Sequence, residues 1–409
     1  MSEENTLLEC NKDEKEKVFQ KDKESVTTVV IKEEQPIIEP KKKKPRLYWA
    51  DCLRIYSMFN IILLHCAGST FENKLTETKN RNVIFVCTYN CITRFAVPVF
   101  IMLSGMFFLN PNKKFSLSRL VKKNILRLLT AFYFWSALNA FFNVMKPKTR
   151  PPIFSSEFNK RFLILFFPGE GYLWFILMII GCYLCIPVLR HICNDKKTMK
   201  YFLGLWIVWG SIIPTIRDVL NLVDPEVLGK VFSDWVNNWH FNFAIEYIGY
   251  FVGGYYVFKF VNIEKLKYRI IVYSLGLLDL ITVITVCCYI EIKTASNFSY
   301  IRGNLSITNM FYSFVVFLFF KYEIGRIQFS EKSTKIITKL SALTFGMYLA
   351  HMFVKNILSY VKFTEDHIGN NIHYTPAIGV PILFIVISSI CLLISYAISF
   401  IPILNNYII

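Results

Sequence analysis

The sequence predicts an all-α fold, a polytopic membrane protein with about ten transmembrane helices. Three observations predict it. Of the 409 residues, 54% are hydrophobic and 16% aromatic, too apolar for the two or three soluble domains that this length would otherwise form. The apolar residues gather into ten runs, most of them near the ~20 residues that cross a hydrocarbon layer. Lysines and arginines concentrate in alternate connections between the runs, which is an orientation signal.

Residues 1–45 are rich in Lys and Glu and poor in apolar side chains, so a disordered cytosolic tail is expected there. Lys41, Lys42, Lys43, Lys44 and Arg46 stand directly before the first run. They hold the N-terminus in the cytosol and suit an anionic lipid surface, at about 1 kcal/mol per basic residue. The first run begins near Leu47, too late and too long for a cleaved signal peptide. Residues 46–409 then form one ten-span domain. Its runs cover 47–68, 83–109, 125–145, 172–189, 201–216, 241–260, 270–290, 305–320, 340–361 and 378–403. The fifth and eighth are the shortest. Pro98, Pro187, Pro214 and Pro381 are expected to kink or end their helices. With the N-terminus inside, the inside connections carry the basic clusters around Lys113–Lys123, Arg190–Lys200, Lys259–Arg269 and Lys321–Lys335. Both termini are therefore expected in the cytosol. The long connection 146–171 is placed outside, over a cavity. Two N-x-S sequons, at Asn297 and Asn304, share another outside connection.

Charge and cysteine usage exclude other classes. The net charge of +17 sits in short loops, so no nucleic-acid partner is expected. Eleven cysteines are present, most within apolar runs, where they read as small buried hydrophobes. Cys182 and Cys185 form a C-x-x-C with no second pair, so no metal is expected. Neither a phosphate-cradling G-x-x-x-x-G-K-[ST] loop nor an H-E-x-x-H helix occurs.

Ionisable residues inside apolar runs are costly to keep there and mark functional sites. Arg54 and His65 lie eleven residues apart in the first run. At about 100° per residue they share a face, about 16 Å apart along the axis. Asp51 stands one turn before Arg54, at i,i+3 pairing distance. Arg94, Glu246 and Asp279 fall in the second, sixth and seventh runs. With Arg54 and His65 they are expected to line a polar path across the bilayer, and structural ion pairing is the alternative. A histidine can act as a general base near neutral pH.

These segments resemble the acyltransferase-3 family, integral-membrane enzymes that move acyl groups onto sugars and related acceptors. ADCLRIYSMFNIILLH is similar to the family's opening D-x-x-R…His block, matched by Asp51, Arg54 and His65. RFAVPVFIMLSGMFFL resembles its R-F-x-V-P block, matched by Arg94, Pro98, Ser104 and Gly105. YLWFILMIIGCYLCIPVL is similar to its L-W-F block, with Trp174 and Pro187, and TFGMYLAHMFV resembles its late F-G-x-Y-L-x-H block, ending at His351. The family's basic stretch K-K-R-x-x-R, followed by a helix-breaking Pro, reads KKNILRLLTAF here. Asn124 and Ala131 replace its Arg and Pro, while Lys122, Lys123 and Arg127 remain.

The resemblance implies a cytosolic acyl-CoA donor, usually acetyl-CoA, as co-substrate with no bound cofactor. It also implies a hydroxyl acceptor on a carbohydrate or lipid-linked molecule. Catalysis is then expected from His65, Arg54 and Asp51, with His65 as base. Donor binding is expected from Arg94, Lys122, Lys123 and Arg127, and a supporting polar path from Ser104, Trp174, Glu246, Asp279 and His351. The rival is a transporter or flippase using the same path, which the absence of a visible inverted repeat disfavours.

Overall fold

Prolines and glycines decide where the helices of this chain break and how closely they approach. The computed structural model describes residues 46–71, 80–146, 150–239, 246–294, 301–361 and 376–407. The expected tail and the sequon at Asn297 lie outside the described residues. No described residue is in a strand. The helices are α1 (Tyr48–Phe71), α2 (Asn80–Thr93), α3 (Ala96–Phe108) and α4 (Leu117–Arg119), which passes through a π-helical stretch (Leu120–Ile125) into α5 (Leu126–Met145). Next come α6 (Ser156–Phe166), α7 (Trp174–Leu184), α8 (Ile186–Ile192) and α9 (Lys196–Ile207). A second π-helical stretch (Val208–Ile212) leads into α10 (Ile213–Val223). Then follow α11 (Lys230–Asn238), α12 (Ile248–Phe260), α13 (Leu266–Thr294), α14 (Ile307–Tyr322), α15 (Glu331–Tyr360), α16 (Pro376–Ser399) and α17 (Pro402–Tyr407). Leu47–Ile409 forms a single unit.

Among the described residues, eight helical segments are long and apolar enough to cross a membrane. The protein is an all-α polytopic membrane protein. The eight include the two shortest runs, which extend to Lys196–Val223 and Ile307–Arg326. The first and sixth runs are not among them. α1 has 24 residues, about 36 Å at the helical rise, but carries Asp51 and Arg54. α12 is described over only 13 residues.

Two expectations need correction. Residues 146–171 are not simply a loop, because α6 lies there and packs on α5. Ser155 caps α6 by accepting from the Phe158 backbone N–H at 3.1 Å. Phe158, Phe162 and Phe166, at i,i+4 spacing, stack along it. Residues 241–245 of the sixth run lie outside the described residues, and Glu246, expected inside that helix, stands in a turn ahead of α12, which starts at Ile248.

A proline deprives the carbonyl four residues back of its helical partner. At Pro98 the helix breaks at Arg94 and Phe95, and the Arg94 carbonyl accepts from Asn309 Nδ2 of α14 at 3.3 Å. Pro381 does not break α16. There the Ala377 carbonyl accepts from Tyr89 Oη of α2 at 3.1 Å, so a neighbouring helix supplies the missing donor. Glycines set the α3–α12 crossing. A Cβ on Gly105 would lie 1.7 Å from the Phe251 carbonyl oxygen, and one on Gly254 would lie 2.1 Å from that of Met102. The two backbones touch directly, as small residues permit between membrane helices.

Gly105→Ala is therefore expected to destabilise by about 1–3 kcal/mol or more, because backbone rather than a movable side chain is in the way. Gly181→Ala in α7, where a Cβ meets nothing within 4 Å, is expected to be neutral or to stabilise by up to about 1 kcal/mol. Thermal unfolding of the two variants in detergent measures the contrast.

Candidate active site

α1 contacts α2, α3, α14, α15 and α16, and α15 supplies most of its polar partners. At one end Arg54 Nη1 donates to Asp51 Oδ1 at 3.2 Å and to Ser341 Oγ at 3.0 Å. Ser341 Oγ donates in turn to Asp51 Oδ1 at 2.6 Å. The i,i+3 pair is thus present and tied across to α15. At the other end Lys355 Nζ donates to the His65 carbonyl, and the His65 ring lies 5.0 Å from that of His351. The Asp51–Ser341 and His65–Lys355 bonds each join residues 290 positions apart. α1 and α15 therefore run parallel and hold one register over fourteen residues, about 21 Å. On α15 the polar residues Ser341, Thr344, Tyr348, His351 and Lys355 recur at three and four residues, one face of a helix. Sequence reasoning had picked only His351 from this stripe, although its spacing was visible.

His351 is buried, and its Nδ1 bonds the Tyr348 carbonyl. A carbonyl only accepts, so Nδ1 carries the proton and Nε2 keeps a lone pair in the neutral ring. That Nε2 is buried with no hydrogen-bond partner among the described residues. Around it, Tyr348 Oη donates to the Tyr172 carbonyl. Tyr172 Oη donates to the Leu349 carbonyl at 2.8 Å and accepts from Asn139 Nδ2 at 3.2 Å. These bonds fix the two tyrosine rings that pack against His351. His65 itself is half-buried.

A cavity of about 360 Å³ opens beside this seam. Lys123 and Arg127, both exposed, stand on it. Arg54, Ser104, Tyr183 and Tyr348 line its interior with Phe100, Phe107, Phe175 and Phe345. The π-helical turn before α5 brings Lys123, Asn124 and Arg127 to the cavity. Lys122 is exposed and is not on it. Ser104 Oγ donates to the Phe100 carbonyl at 3.0 Å. His65 is not part of the lining. Tyr348 lines the cavity and its ring lies 5.6 Å from His351, so Tyr348 and His351 connect the cavity to His65.

The single polar path expected from the sequence is not assembled. Arg94 and Asp279 share a separate void of about 10 Å³ with Cys91, Arg302 and Asn309, room for about one water molecule. Arg94 Nη2 donates to Asn90 Oδ1 at 3.2 Å. Glu246 is exposed, with left-handed backbone at φ 68°, and its carbonyl accepts from Trp206 Nε1 at 2.7 Å. Trp174 is 38% exposed and packs its ring 5.2 Å from that of Tyr247, away from the cavity.

A family model for an acyltransferase domain, Acyl_transf_3, matches residues 47–400. The chain belongs to the acyltransferase-3 family. No curated protein and no solved structure matches it. The match covers all the elements that build this acyltransferase's cavity and histidine pair, from α1 to α16.

Asp51→Ala removes the acceptor shared by Arg54 and Ser341. It is expected to lower stability by roughly 1–3 kcal/mol, whereas Ser341→Ala costs about 1 kcal/mol. A double-mutant cycle by thermal unfolding should show coupling between the two positions, since they belong to one network.

Proposed function

We propose that this membrane acyltransferase takes an acyl group, foremost acetyl, from cytosolic acyl-CoA and transfers it to a hydroxyl group at the opposite face. The acceptor class is a carbohydrate or a lipid-linked glycoconjugate. The observation that carries the reading is the cavity itself. It has basic residues at an exposed rim, aromatic walls, and an inner end at Tyr348, one ring away from the His351–His65 pair.

In this reading Lys123 and Arg127 take the phosphates of CoA, for which basic side chains are suited. The pantetheine arm lies along the aromatic walls past Ser104. Arg54, its guanidinium aimed by Asp51 and Ser341, holds the pantetheine arm, and the thioester end reaches on past Tyr348 towards His65. His65, half-buried beside His351, accepts the proton of the acceptor hydroxyl as that oxygen attacks the thioester carbon. Arg94, at the end of α2, stabilises the oxyanion that forms. The carbon–sulfur bond then breaks, the thiolate of CoA leaves and takes up the proton, and an ester is released. His351 positions His65 through ring contact, with its own tautomer set by the Tyr348 carbonyl.

Purified protein given radiolabelled acetyl-CoA and a membrane extract is expected to yield a labelled acceptor. His65→Ala is expected to abolish transfer while expression, insertion and melting behaviour stay intact; full activity in that variant removes His65 as the base. Arg54→Lys should lose most activity, because a point charge does not replace a planar fork of donors. Lys123→Ala with Arg127→Ala should raise KM for acyl-CoA roughly tenfold or more with little change in kcat, as expected for lost charged contacts made equally in ground and transition states. Solute flux through reconstituted vesicles without any acyl-CoA, and no thioester cleavage, would overturn the reading in favour of a flippase.

A further inference from the structure

Away from the cavity, a second cluster of reactive side chains lies between α2 and α13. Cys87 and Cys91 are four residues apart on α2 and so face the same way. Cys287 approaches them from α13. The three sulfurs lie within 4.8 Å of one another and all three residues are buried. The Cys87–Cys91 separation is 4.0 Å. Val283 and Cys288 complete this small core, with Leu280, Ile284 and Ile290 packed against it. Cys288 donates to the Ile84 carbonyl at 3.9 Å.

The core also contains a charge. Arg302 is 2% exposed. Its Nη2 meets Glu291 Oε1 at 2.7 Å and its Nη1 lies 3.4 Å from Cys87 Sγ. A guanidinium only donates, so the sulfur is the acceptor in that contact. The contact places a hydrogen-bond donor beside the sulfurs, while Glu291 balances the guanidinium charge.

We propose that Cys87, Cys91 and Cys287 bind one soft metal ion, with zinc as the representative, in a closed structural site that ties α2 to α13. Thiolate sulfurs select such ions. Zn–S bonds of about 2.3 Å put sulfurs about 3.8 Å apart in tetrahedral geometry, close to the observed Cys87–Cys91 distance. Three sulfurs converge on one point, whereas a disulfide joins two and leaves the third over. Binding of Zn²⁺ displaces three thiol protons and leaves one negative charge on the three-sulfur complex, which faces the Arg302 guanidinium. Outer partners of this kind orient ligands and tune affinity. Cys288, in the same small core, is a candidate for the fourth position. The site lies three residues before Arg94, so it anchors the end of α2 from which Arg94 projects. The inference does not depend on the activity proposed above.

The test uses the full chain, purified in detergent under reducing conditions without chelator. Zinc is added, excess is removed by dialysis, and metal per chain is measured by mass spectrometry. One retained zinc per chain is expected. Cys91→Ser should lose most of it, and Cys182→Ser, a change outside the cluster, should retain it. Cobalt(II) loading of the unaltered protein should give thiolate-to-metal charge-transfer absorption, a readout that stands even if Cys91→Ser does not fold. Two results overturn the proposal. One is no retained zinc together with no cobalt–thiolate band. The other is a Cys87–Cys287 or Cys91–Cys287 disulfide found by peptide mapping of protein purified without reductant.

Discussion

The parallel seam between α1 and α15 is the constraint on which the rest of the site depends. Asp51, Arg54 and Ser341 close it at one end, and His65, Lys355 and His351 close it at the other. A helix free to rotate or slide by one residue would turn these groups into lipid or into packed apolar side chains, where unmet polar groups are disfavoured by several kcal/mol. Bonds at both ends with one offset remove that freedom. Arg54 is thereby turned to the cavity and His65 to the second histidine, on two sides of Tyr348.

The surrounding helices hold that seam by backbone means. α3 lies against α12 at glycine contact. The break at Pro98 exposes the Arg94 carbonyl, which Asn309 occupies, and the intact helix at Pro381 relies on Tyr89. The two proline devices each satisfy a main-chain carbonyl that hydrocarbon cannot. Together they set the end of α2 that carries Arg94 beside α14. Arg94 thus lies outside the cavity that holds Arg54.

Much of this was legible in the chain. The Asp51–Arg54 pair followed from i,i+3 spacing, and the break before Pro98 from the missing N–H. Helix α6 had visible signals, a capping Ser155 and phenylalanines at i,i+4, but Lys160 and Arg161 split its apolar character and hid it from a hydropathy reading. Glu246 was misplaced because apolar residues continue ahead of α12, while its left-handed backbone and the Trp206 bond hold it outside the helix. The cysteines read as small buried hydrophobes; the i,i+4 spacing of Cys87 and Cys91 is local, but their approach to Cys287 is not legible, since it lies on a helix distant in the chain.

What the sequence alone determined is local. It set the all-helical, membrane-spanning character, the main apolar segments, and the ionisable residues that lie inside them, because helical rise and the cost of burying charge act within one segment. Which of those residues share a space was decided only by tertiary packing. Partners such as Asp51 and Ser341, or His65 and Lys355, are 290 residues apart, and no periodicity within either helix encodes the other. The same reason separates Arg94 and Asp279 from the cavity. Their helices are apolar and span-like, but the neighbours that enclose them come from elsewhere in the chain.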